Sequence, residues 1–559
     1  MSDNWGTGWR ERIWNEIGRP WDLIIIGGGI TGAGILREAS RAGLRSLLVE
    51  QHDFGAGTSS RSSKLVHGGF RYLKNSQIKM TFQSVRERER LQREGRGLVN
   101  SLSFLMPAFK TDPVPSWLLG LGLSIYDLLA LKWGHRYYQT QDFCDLCPQL
   151  TPENLTGGYR YVDALTDDAR LVIRLLREAT RGGGTALNYA RVEGFLRSKT
   201  DRVSGVILKD VAPGGKNSVV EVQAPVVINA TGAWADDVRA LLSPYSEKSR
   251  SEKEMPHLRK LRGSHLVFPW SKFPLQRAVC VWHPQDNRPV FAFPWEGVTI
   301  LGTTDVEHNF PLEIDPAISQ SEVDYLMEAV QHAFPSLEMR EEDVQSTYSG
   351  IRAVVDTGKE NPSEESREHV LWYDNGMLTV TGGKLTTFRL MAHDALRAIH
   401  PHLTKELKLD PRHPILNQSK SNTLRGSSLK PEARLRLVGR YGNDAGELVD
   451  TAAPEELESI GSSPAIWAEL RWAARAEGIF HLEDLLLRRV RLGIMLPGGG
   501  VNLLSEIQAL LQDELDWDSE RWEQETAAYT HLLRSKYNLP RMQTESGGSK
   551  QMTHTRAID

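Results

Sequence analysis

The spacing of hydrophobic residues near the start of the chain changes from a continuous run to a helical period. Residues 23–26 are apolar and mostly β-branched, which is typical of a strand buried on both faces. Glycines occupy positions 27–29, and apolar residues then recur at helical spacing over residues 30–44. A second apolar run at 46–49 is followed by Glu50. This order predicts a strand, a tight turn, a helix and a second strand.

Three glycines in this turn have the spacing of a dinucleotide-binding motif. Gly27, Gly29 and Gly32 form G-x-G-x-x-G, which permits the turn, the approach of a pyrophosphate and close helix packing. The helix N-terminus then directs its N–H groups at the phosphates. Glu50 lies where an acidic side chain accepts hydrogen bonds from ribose hydroxyls. We therefore predict dinucleotide binding, although this unit alone fits FAD and NAD equally.

Further along the chain, a second buried strand ends in small residues. The sequence VVINATGAW at 226–234 runs from apolar residues into Ala230 and Gly232. A FAD-binding domain needs such a strand where its sheet passes the cofactor again, so this pattern favours FAD over NAD. Residues 261–305 contain short alternating strands, which predict an antiparallel sheet in a second domain. Two later segments are expected to return the chain to the nucleotide domain: 347–355 and 378–388.

One predicted helix is apolar on nearly all sides. Residues 117–133 read WLLGLGLSIYDLLALKW, with a tryptophan at each end. A helix of this composition is usually buried, and the alternative is insertion into one leaflet of a bilayer. The stretch is too short and too polar to cross a membrane, which takes about twenty apolar residues. The tryptophan-rich residues 5–16 are either a short amphipathic helix at a bilayer interface or an arm packed on the domain.

Length, charge and cysteine content exclude several classes of protein. The chain of 559 residues is long enough for two or three domains. Its net charge of -4 at pH 7 gives no general attraction to nucleic acid. Three cysteines argue against a disulfide framework, and Cys144 and Cys147 lack the second pair that a zinc site requires. No basic segment with an apolar core begins the sequence, so we expect no secretory signal.

The segment after the first βαβ unit is rich in glycine and serine and then carries ionisable side chains. Residues 55–74 read GAGTSSRSSKLVHGGFRYLK. Small hydroxyl residues can bind a phosphate or a ribityl chain, and a glycine pair lets the backbone approach a planar ring. From this segment we predict the following cofactor-binding residues: Thr58, Ser59, Ser60, Lys64, Leu65, His67 and Gly68.

A second glycine-containing segment precedes the helix predicted at 388–400. A reduced flavin carries negative charge on its pyrimidine ring, so backbone N–H groups at a helix start would stabilise it. The residues predicted to line the cofactor here are Gly383, Lys384, Leu385 and Thr386, together with Ala230 and Gly232 from the earlier strand.

Seven motifs occur in an order that resembles a known family. They are IIIGGGITGAGI, TSSRSSKLVHGGFRYL, ATG at 230–232, GSHLVFP, ILGTTD, YSGIR and TGGKLTTFR. In this order they resemble the FAD-dependent glycerol-3-phosphate dehydrogenases over about residues 20–400, and HLEDLLLRRVRLG at 481–493 is similar to the additional C-terminal domain of that family. The resemblance implies oxidation of sn-glycerol 3-phosphate to dihydroxyacetone phosphate, with FAD as cofactor and a membrane quinone as electron acceptor.

The fold class implied by the resemblance is α/β. It combines a Rossmann-type FAD-binding domain, an antiparallel-sheet substrate or cap domain as in D-amino-acid-oxidase-like flavoproteins, and a C-terminal α-helical domain. The expected bounds are 20–100, 155–235 and 345–400 for the FAD-binding domain, 101–154 and 236–344 for the cap domain, 405–540 for the helical domain, and 1–19 and 541–559 for flexible termini.

This chemistry needs cations for a dianionic phosphate and a base for the proton of the C2 hydroxyl. Arg71 and Arg352 are the first candidates for the phosphate and Arg367 the third, because guanidinium groups suit phosphate oxygens. His265 is the predicted base, and His67 is an alternative that could instead line the flavin. Two further residues are predicted to polarise or fix the substrate: Lys384 and Tyr72.

Two kinds of alternative remain open at this point. One is another enzyme of the same architecture, either a glycerol-3-phosphate oxidase that produces hydrogen peroxide or an amine oxidase. The other is a flavin-binding electron-transfer subunit. The resemblance further implies peripheral attachment to the cytoplasmic face of the cell membrane, through apolar helices or the tryptophan-rich N-terminus. We also expect a homodimer.

Overall fold

The strands form three sheets in the computed structural model, which describes residues 5–6, 8–70, 78–215, 217–242, 258–356, 368–418, 424 and 426–540. In chain order the strands are β1 (Leu23–Ile26), β2 (Ser46–Val49), β3 (Leu65–Val66), β4 (Val99–Phe109), β5 (Arg136–Tyr138), β6 (Leu155–Thr166), β7 (Thr185–Leu187), β8 (Ala190–Arg197), β9 (Val203–Asp210), β10 (Val219–Gln223), β11 (Val227–Asn229), β12 (Leu258–Pro269), β13 (Ala278–Trp282), β14 (Pro289–Trp295), β15 (Val298–Gly302), β16 (Val306–Glu307), β17 (Ser346–Val355), β18 (His369–Asp374) and β19 (Met377–Gly382).

The α-helices described are α1 (Trp9–Glu16), α2 (Ile30–Arg41), α3 (Ile78–Glu94), α4 (Ser116–Ala130), α5 (Thr140–Leu146), α6 (Asp168–Arg181), α7 (Ala235–Ala240), α8 (Gln320–Ala333), α9 (Phe388–Ile399), α10 (Pro431–Tyr441), α11 (Ala445–Asp450), α12 (Trp467–Ala476), α13 (Leu492–Met495), α14 (Leu504–Leu515) and α15 (Ser519–Leu532). A π-helix occupies Asp484–Arg489. Short 3-10 turns at Thr58–Ser60 and Leu385–Thr387 lie in the segments predicted to bind the cofactor.

The first large sheet has six strands in the order β18, β19, β11, β1, β2, β7. Strand β1 pairs in parallel with both neighbours, so that Ile25 lies opposite Ile228 and Leu48. Every residue of β1 and β2 is buried, which explains the unbroken apolar runs in the sequence. Helices α2, α6 and α9 pack beside this sheet. The predicted βαβ unit is therefore present.

The second large sheet has ten strands and forms the cap domain. Its order is β16, β12, β15, β14, β13, β4, β6, β3, with β17 added beside β12 and β5 beside β6. The parallel pair in this sheet is β13 with β4. Helix α8 packs into the apolar core on one face, and residues of the C-terminal helices fill the core on the other. The antiparallel sheet predicted within 261–305 is present as β12 to β15.

Three strands within the ranges predicted for the FAD-binding domain pair in this second sheet: β3, β6 and β17. Strand β6 pairs with β4 along nearly its whole length, and β17 pairs with β12 from Leu258 opposite Val355 to Val267 opposite Ser346. The segments that begin at 155 and 345 thus pair with strands of the cap sheet, and the domain bounds themselves stay predictions. A strand pattern in the sequence carries no information about which strand lies beside it.

Within the predicted flexible terminus 1–19, the described residues 5–6 and 8–19 form an arm packed on the protein. The side chain of Trp5 is buried, and its ring stacks on Phe54 with 5.1 Å between ring centroids. The guanidinium of Arg10 forms a buried ion pair with Asp210 at 2.6 Å. These contacts favour the packed arm over a helix at a bilayer interface.

The C-terminal helices are joined to the FAD-binding domain by buried ion pairs. Arg170 of α6 binds both carboxylate oxygens of Glu477, at 2.6 and 2.8 Å. Arg489 of the π-helix binds both carboxylate oxygens of Asp53, at 2.6 and 2.7 Å. The helical domain predicted for this region is therefore packed closely on the nucleotide domain. The tail predicted to be flexible at 541–559 lies outside the described residues.

Helix α4 exposes one face of large apolar side chains. Trp117 and Leu128 are 68% and 67% exposed, and Trp133, just beyond the helix, is 72% exposed. The expectation of a fully buried helix at 117–133 is therefore wrong for its outer face, whereas Tyr126 on the inner face is buried. Among the helices described, none combines the length and the hydrophobicity needed to cross a bilayer.

Candidate active site

The glycine-rich turn after β1 leaves no room for side chains. Gly27 has a φ of 111°, and a Cβ there would lie 2.6 Å from the carbonyl oxygen of Ala230. A Cβ at Gly32 would lie 2.0 Å from the carbonyl oxygen of Gly27. Gly29 is the N-cap of α2, and Gly232 has a φ of 60° in the turn after β11. The turn thus keeps β1, β11 and the start of α2 in contact, as the glycine spacing predicts.

Glu50 follows β2 and faces this turn. Its Oε2 accepts the N–H of Gly28 at 2.7 Å, and its Oε1 accepts the N–H of His52 at 2.9 Å. Burial raises the pKa of the Glu50 carboxyl, although both backbone hydrogen bonds act in the opposite direction. The carboxyl group therefore lies beside the glycine turn, at the position where the acid of a dinucleotide-binding unit meets a ribose.

The 3-10 turn that follows connects the start of α2 to strand β17. The hydroxyl oxygen of Ser59 accepts the N–H of Ile30 at 2.9 Å. The hydroxyl of Thr58 donates to the carbonyl oxygen of Ile351 in β17. The turn predicted to bind the cofactor is therefore held between the nucleotide domain and the cap sheet.

Lys64 is fully buried, and protein groups bind its ammonium. The Nζ atom lies 3.1 and 3.3 Å from the two carboxylate oxygens of Asp168 and 3.3 Å from the carbonyl oxygen of Ser60. It also lies 4.5 Å from the ring centroid of Tyr348. Burial and the nearby Arg491 lower the pKa of Lys64 to about 8, although Asp168 acts against them. Its predicted role in cofactor binding stays a prediction.

Residues 65–68 meet the second glycine-containing segment directly. Leu65 is buried in β3, and the carbonyl oxygen of His67 accepts the hydroxyl of Thr386 at 3.2 Å. The N–H of Gly68 donates to the Tyr126 hydroxyl at 2.9 Å. A Cβ at Gly68 would lie 2.2 Å from that hydroxyl oxygen, so glycine is required for this close approach.

The GGKLTT segment lies next to helix α3. Gly383 has a φ of 73°, and a Cβ there would lie 2.4 Å from the sulfur of Met391. The Nζ atom of Lys384 donates to the hydroxyl of Ser84 in α3 at 2.7 Å. Leu385 begins the 3-10 turn that leads into α9. Two segments more than 300 residues apart in sequence are thus brought together, as predicted for residues that line one ring system.

His265 is buried in β12 with only 2% of its surface exposed. Its Nε2 lies 2.9 Å from the hydroxyl of Ser63, and its ring stacks on Tyr348 with 4.5 Å between centroids. Within the described part of the chain, its Nδ1 has no hydrogen-bond partner. Burial, and then the positive charges of Lys64 and Arg352, lower the pKa of His265 well below its ordinary value. The imidazole is therefore neutral at neutral pH.

Arg352 lies on β17 and is held by the loop after β15. Its Nη2 donates to the hydroxyl of Thr303 and to the carbonyl oxygen of Thr304, both at 3.2 Å. A Cβ at Gly263 would lie 2.2 Å from this nitrogen, so glycine makes room for the guanidinium. Positions 263 and 265 of a strand point to the same face. The guanidinium therefore lies beside His265 on one face of the cap sheet.

Three predicted residues lie outside the described part of the chain: Arg71, Tyr72 and Arg367. Sequence reasoning missed further residues that contact the predicted site residues, among them Ser63, Ser84, Tyr126, Asp168, Thr303, Thr304 and Tyr348. Four of them stand inside or beside the motifs TSSRSSK, ILGTTD and YSGIR. The signal that could have found these four is a hydroxyl side chain within one of the seven motifs.

The residues present fit a dinucleotide that carries a flavin at one end. The start of α2 has glycine as its N-cap, so backbone N–H groups can face a pyrophosphate. The Glu50 carboxyl lies beside that turn. At the other end, the bond between His67 and Thr386 joins the two segments predicted to line the ring. The individual contacts to the cofactor stay predictions.

Comparisons with known proteins agree with this arrangement. A family model described as FAD dependent oxidoreductase matches residues 22–389, and one described as the C-terminal domain of alpha-glycerophosphate oxidase matches residues 402–522. The aerobic glycerol-3-phosphate dehydrogenase of Staphylococcus aureus (strain USA300) is 34% identical over 492 residues, which cover 84% of this chain and 86% of that protein.

Solved structures show the same relationship. The structure of the glycerol-3-phosphate dehydrogenase from Bacillus halodurans complexed with FAD matches with a TM-score of 0.76 and 26% identity, covering 95% of this chain and 98% of that chain. The L-alpha-glycerophosphate oxidase from Mycoplasma pneumoniae with FAD bound shares the fold, with a TM-score of 0.55 and 16% identity over 71% of this chain and 98% of that one.

The fold and these matches define an FAD-dependent oxidoreductase with an antiparallel cap domain and a C-terminal helical domain. Within that class, the chain belongs to the FAD-dependent glycerol-3-phosphate dehydrogenases. The predicted fold class and the predicted FAD cofactor are therefore confirmed.

Proposed function

We propose that the enzyme oxidises sn-glycerol 3-phosphate to dihydroxyacetone phosphate and passes the electrons to a membrane quinone. The observation that carries the proposal is a buried imidazole beside a guanidinium held by hydrogen bonds on one face of the cap sheet. His265 lies two positions along β12 from Gly263, which Arg352 reaches. Such positions are about 7 Å apart. This spacing suits a three-carbon alcohol whose hydroxyl and phosphate are bound separately.

Arg352 is proposed to bind the phosphate group of the substrate. A guanidinium offers planar paired donors that match phosphate oxygens, and charge-assisted bonds of this kind are stronger than neutral ones. Thr303 and Thr304 already fix the orientation of Nη2, so little side-chain freedom is lost on binding. Three further residues stay predicted contributors to substrate binding: Arg71, Arg367 and Lys384.

His265 is proposed to accept the proton of the C2 hydroxyl. A base must be unprotonated at working pH, and burial together with Lys64 and Arg352 lowers the pKa of this imidazole. Its Nδ1 has no partner among the described residues, so that nitrogen is a suitable acceptor, while Nε2 is occupied by Ser63. Tyr348 stacks on the ring and fixes its plane. Tyr72 stays a predicted contact to the substrate.

Bound FAD would supply the acceptor for the hydride that leaves C2. The residues proposed to hold it are Gly27, Gly29, Gly32, Glu50, Thr58, Ser59, Ser60, Lys64, Leu65, His67, Gly68, Ala230, Gly232, Gly383, Lys384, Leu385 and Thr386. Because His265 is buried, water is excluded from the proposed proton acceptor.

Anaerobic reduction of the bound flavin tests the proposed reaction. Purified, FAD-loaded enzyme mixed with glycerol 3-phosphate in the absence of oxygen should lose its visible flavin absorption, and addition of a quinone should restore it. Enzyme that keeps its yellow colour with this substrate would contradict the proposal. Glycerol and dihydroxyacetone phosphate serve as control compounds, because the first lacks the phosphate and the second is already oxidised.

The role of Arg352 can be measured separately. Arg352→Ala should raise the KM for glycerol 3-phosphate about 100-fold, because a charge-assisted bond to phosphate is worth about 2 to 3 kcal/mol. The content of bound FAD should stay unchanged. Arg397→Ala is the matched control, since Arg397 is an exposed arginine paired with Asp394. An unchanged KM in Arg352→Ala would remove this residue from the substrate site.

The outer face of α4 is proposed to lie in one leaflet at the cytoplasmic face of the cell membrane. Its exposed apolar residues are Trp117, Leu118, Leu121, Ile125 and Leu128. Leu131 and Trp133 just after the helix, and Ile78 and Phe82 of the adjoining α3, are also exposed. On the inner face, Tyr126 binds the N–H of Gly68. A helix is about 10 Å across. A quinone in that leaflet would therefore be separated by about the width of one helix from Gly68, in the segment proposed to bind the flavin.

Vesicle binding tests this surface. The double variant Leu121→Asp, Leu128→Asp should no longer sediment with phospholipid vesicles, because each buried aspartate would carry a large desolvation penalty. Val219→Asp, at an exposed apolar residue on the edge of the small sheet, should sediment like the parent enzyme. Activity with a water-soluble quinone should be kept in both. Unchanged sedimentation of the double variant would refute the proposed membrane face.

A second candidate acceptor is molecular oxygen, which would make the enzyme a glycerol-3-phosphate oxidase. The match of residues 402–522 to the C-terminal domain of alpha-glycerophosphate oxidase favours this alternative. Stoichiometric hydrogen peroxide under air, with no stimulation by quinone, would support it.

The expected homodimer also stays a prediction, to be measured by light scattering in a detergent or lipid-nanodisc preparation.

A further inference from the structure

A buried carboxylate lies behind the strand that carries His265. Glu322, in the first turn of α8, is 2% exposed. Its Oε1 accepts the hydroxyls of Ser264 at 2.8 Å and Thr304 at 2.7 Å. Its Oε2 accepts the Arg262 guanidinium at 2.6 Å and the N–H and hydroxyl of Ser319 at 3.0 and 2.8 Å. Five donors therefore converge on one carboxylate.

Thr304 connects this carboxylate to the proposed phosphate-binding arginine. The Thr304 hydroxyl donates to Glu322 and accepts the N–H of Ser264 at 2.9 Å, so both of its hydrogen-bonding roles are filled. The carbonyl oxygen of the same residue accepts Nη2 of Arg352 at 3.2 Å. Fixing the side chain of Thr304 therefore fixes the peptide that orients the guanidinium.

Helix capping explains only part of the environment of Glu322. Ser319 and Glu322 form a capping box at the start of α8, which accounts for the bond from the Ser319 N–H, and the bond from the Ser319 hydroxyl is local to the same turn. The bonds from Ser264, Thr304 and Arg262 come from the cap sheet and are not needed to begin a helix. They place a charged group of α8 where it organises the strand and loop beside the site.

A carboxylate suits this position better than an amide. An ionised carboxylate accepts about four hydrogen bonds and donates none, whereas an amide presents an NH₂ group to the same donors. Burial alone would raise the pKa of Glu322, but hydrogen bonds from Ser319 and Thr304 and the charge of Arg262 outweigh it and lower the pKa. The group is therefore ionised at neutral pH.

We propose that Glu322 is a positioning residue for substrate phosphate, acting through Thr304 on Arg352. This inference rests on the proposed function, in which Arg352 binds the phosphate of glycerol 3-phosphate. Helix α8, which packs on the face of the cap sheet opposite His265, would thereby contribute to substrate affinity. Binding of the cofactor should not depend on this contact, because the cofactor segments belong to other parts of the fold.

The variant Glu322→Gln tests the proposal with a matched control on the same helix. It should raise the KM for glycerol 3-phosphate about tenfold with little change in kcat, because the guanidinium is present but no longer fixed. Glu328→Gln makes the same chemical change at a partly exposed position of α8, where the side chain accepts a hydrogen bond from Gln285, and should leave KM unchanged. FAD content and thermal unfolding are measured for both.

A double-mutant cycle distinguishes positioning from a general structural effect. In the Arg352→Ala background, Glu322→Gln should cause no further rise in KM, because the residue through which it acts is gone. Additive effects on KM, or a loss of FAD and kcat together, would overturn the proposal. If Glu322→Gln does not fold, Thr304→Val removes the connecting hydroxyl instead, and the same rise in KM and the same non-additivity are expected.

The two levels of inference fail in different ways. If the parent enzyme is not reduced by glycerol 3-phosphate, the proposed function fails. If the parent is reduced and Arg352→Ala raises KM, while Glu322→Gln and Thr304→Val both behave like Glu328→Gln, only the positioning role of Glu322 is overturned.

Discussion

The activity of the enzyme at low pH should depend on the buried ammonium of Lys64, which is not proposed to touch the substrate. Lys64 lies behind the Tyr348 ring, on which His265 stacks. Removing its charge by Lys64→Met makes protonation of the imidazole easier, so the pKa of His265 should rise. A base with a higher pKa becomes protonated at higher pH. The variant should therefore lose activity at a pH where the parent enzyme is still active.

The size of this shift follows from the stacked geometry. The Lys64 ammonium and the His265 ring centroid each lie 4.5 Å from the ring centroid of Tyr348, so they are no more than about 9 Å apart. At that distance and an effective dielectric constant of about 20, a unit charge contributes about 2 kcal/mol, or somewhat more than one pKa unit. Because Asp168 offsets part of the charge, we expect a shift of about one unit.

The assay is the pH dependence of kcat/KM, which reports the pKa of the base in the free enzyme. The acid limb should move upward by about one unit in Lys64→Met, with the plateau at higher pH retained. Lys405→Met is the control, since it breaks a lysine–aspartate pair with Asp22 at the surface, where the lysine is 48% exposed. An unmoved limb, or a downward shift, would refute the electrostatic reasoning for His265.

Lys64→Met also leaves a buried carboxylate without one partner. Breaking a buried ion pair in this way costs about 3 to 5 kcal/mol. The double variant Lys64→Met, Asp168→Asn removes both charges and should recover much of the stability. It allows the pH profile to be measured if the single variant yields too little folded enzyme.

Two further predictions concern cofactor loading and the domain interface. Gly32→Ala should lose most of its FAD, because the new Cβ would lie 2.0 Å from a backbone oxygen and force α2 away from β1. Gly18→Ala, where nothing lies within 4 Å of the new Cβ, should keep its FAD. The ratio of flavin to protein absorbance in the purified variants measures this difference. Arg489→Met should lower the midpoint of thermal unfolding markedly, because the buried charge of Asp53 would then be paired, among the described residues, by Arg488 alone. A midpoint equal to that of the parent enzyme would contradict this prediction.

Local features of the fold could be predicted from the sequence with good accuracy. The βαβ unit at 23–50 and the steric roles of Gly27 and Gly32 follow from interactions between near neighbours in the chain. The motifs that carry the family resemblance have the same property, because each is a short run of residues. His265 and Arg352 were selected in this way, and the structure places them on the same face of one sheet.

The burial of α4 and the neighbours of several strands could not be predicted. The sequence 117–133 is apolar on nearly all sides, but only the face that carries Tyr126 finds a packing partner. Likewise β6 and β17 have ordinary strand patterns, and their pairing partners lie far away in the sequence. Such choices depend on the packing of whole domains.

By itself, then, the sequence determined the strand, turn and helix of the first βαβ unit, which of its glycines are sterically required, and which residue types could serve a phosphorylated alcohol. Only the tertiary structure decided that Lys64 and His265 lie against the same Tyr348 ring, and that Glu322 of a distant helix reaches Thr304 beside Arg352. The physical reason is that hydrogen bonds within a turn depend on neighbouring residues. Burial and charge pairing depend instead on which remote surfaces exclude water from one another.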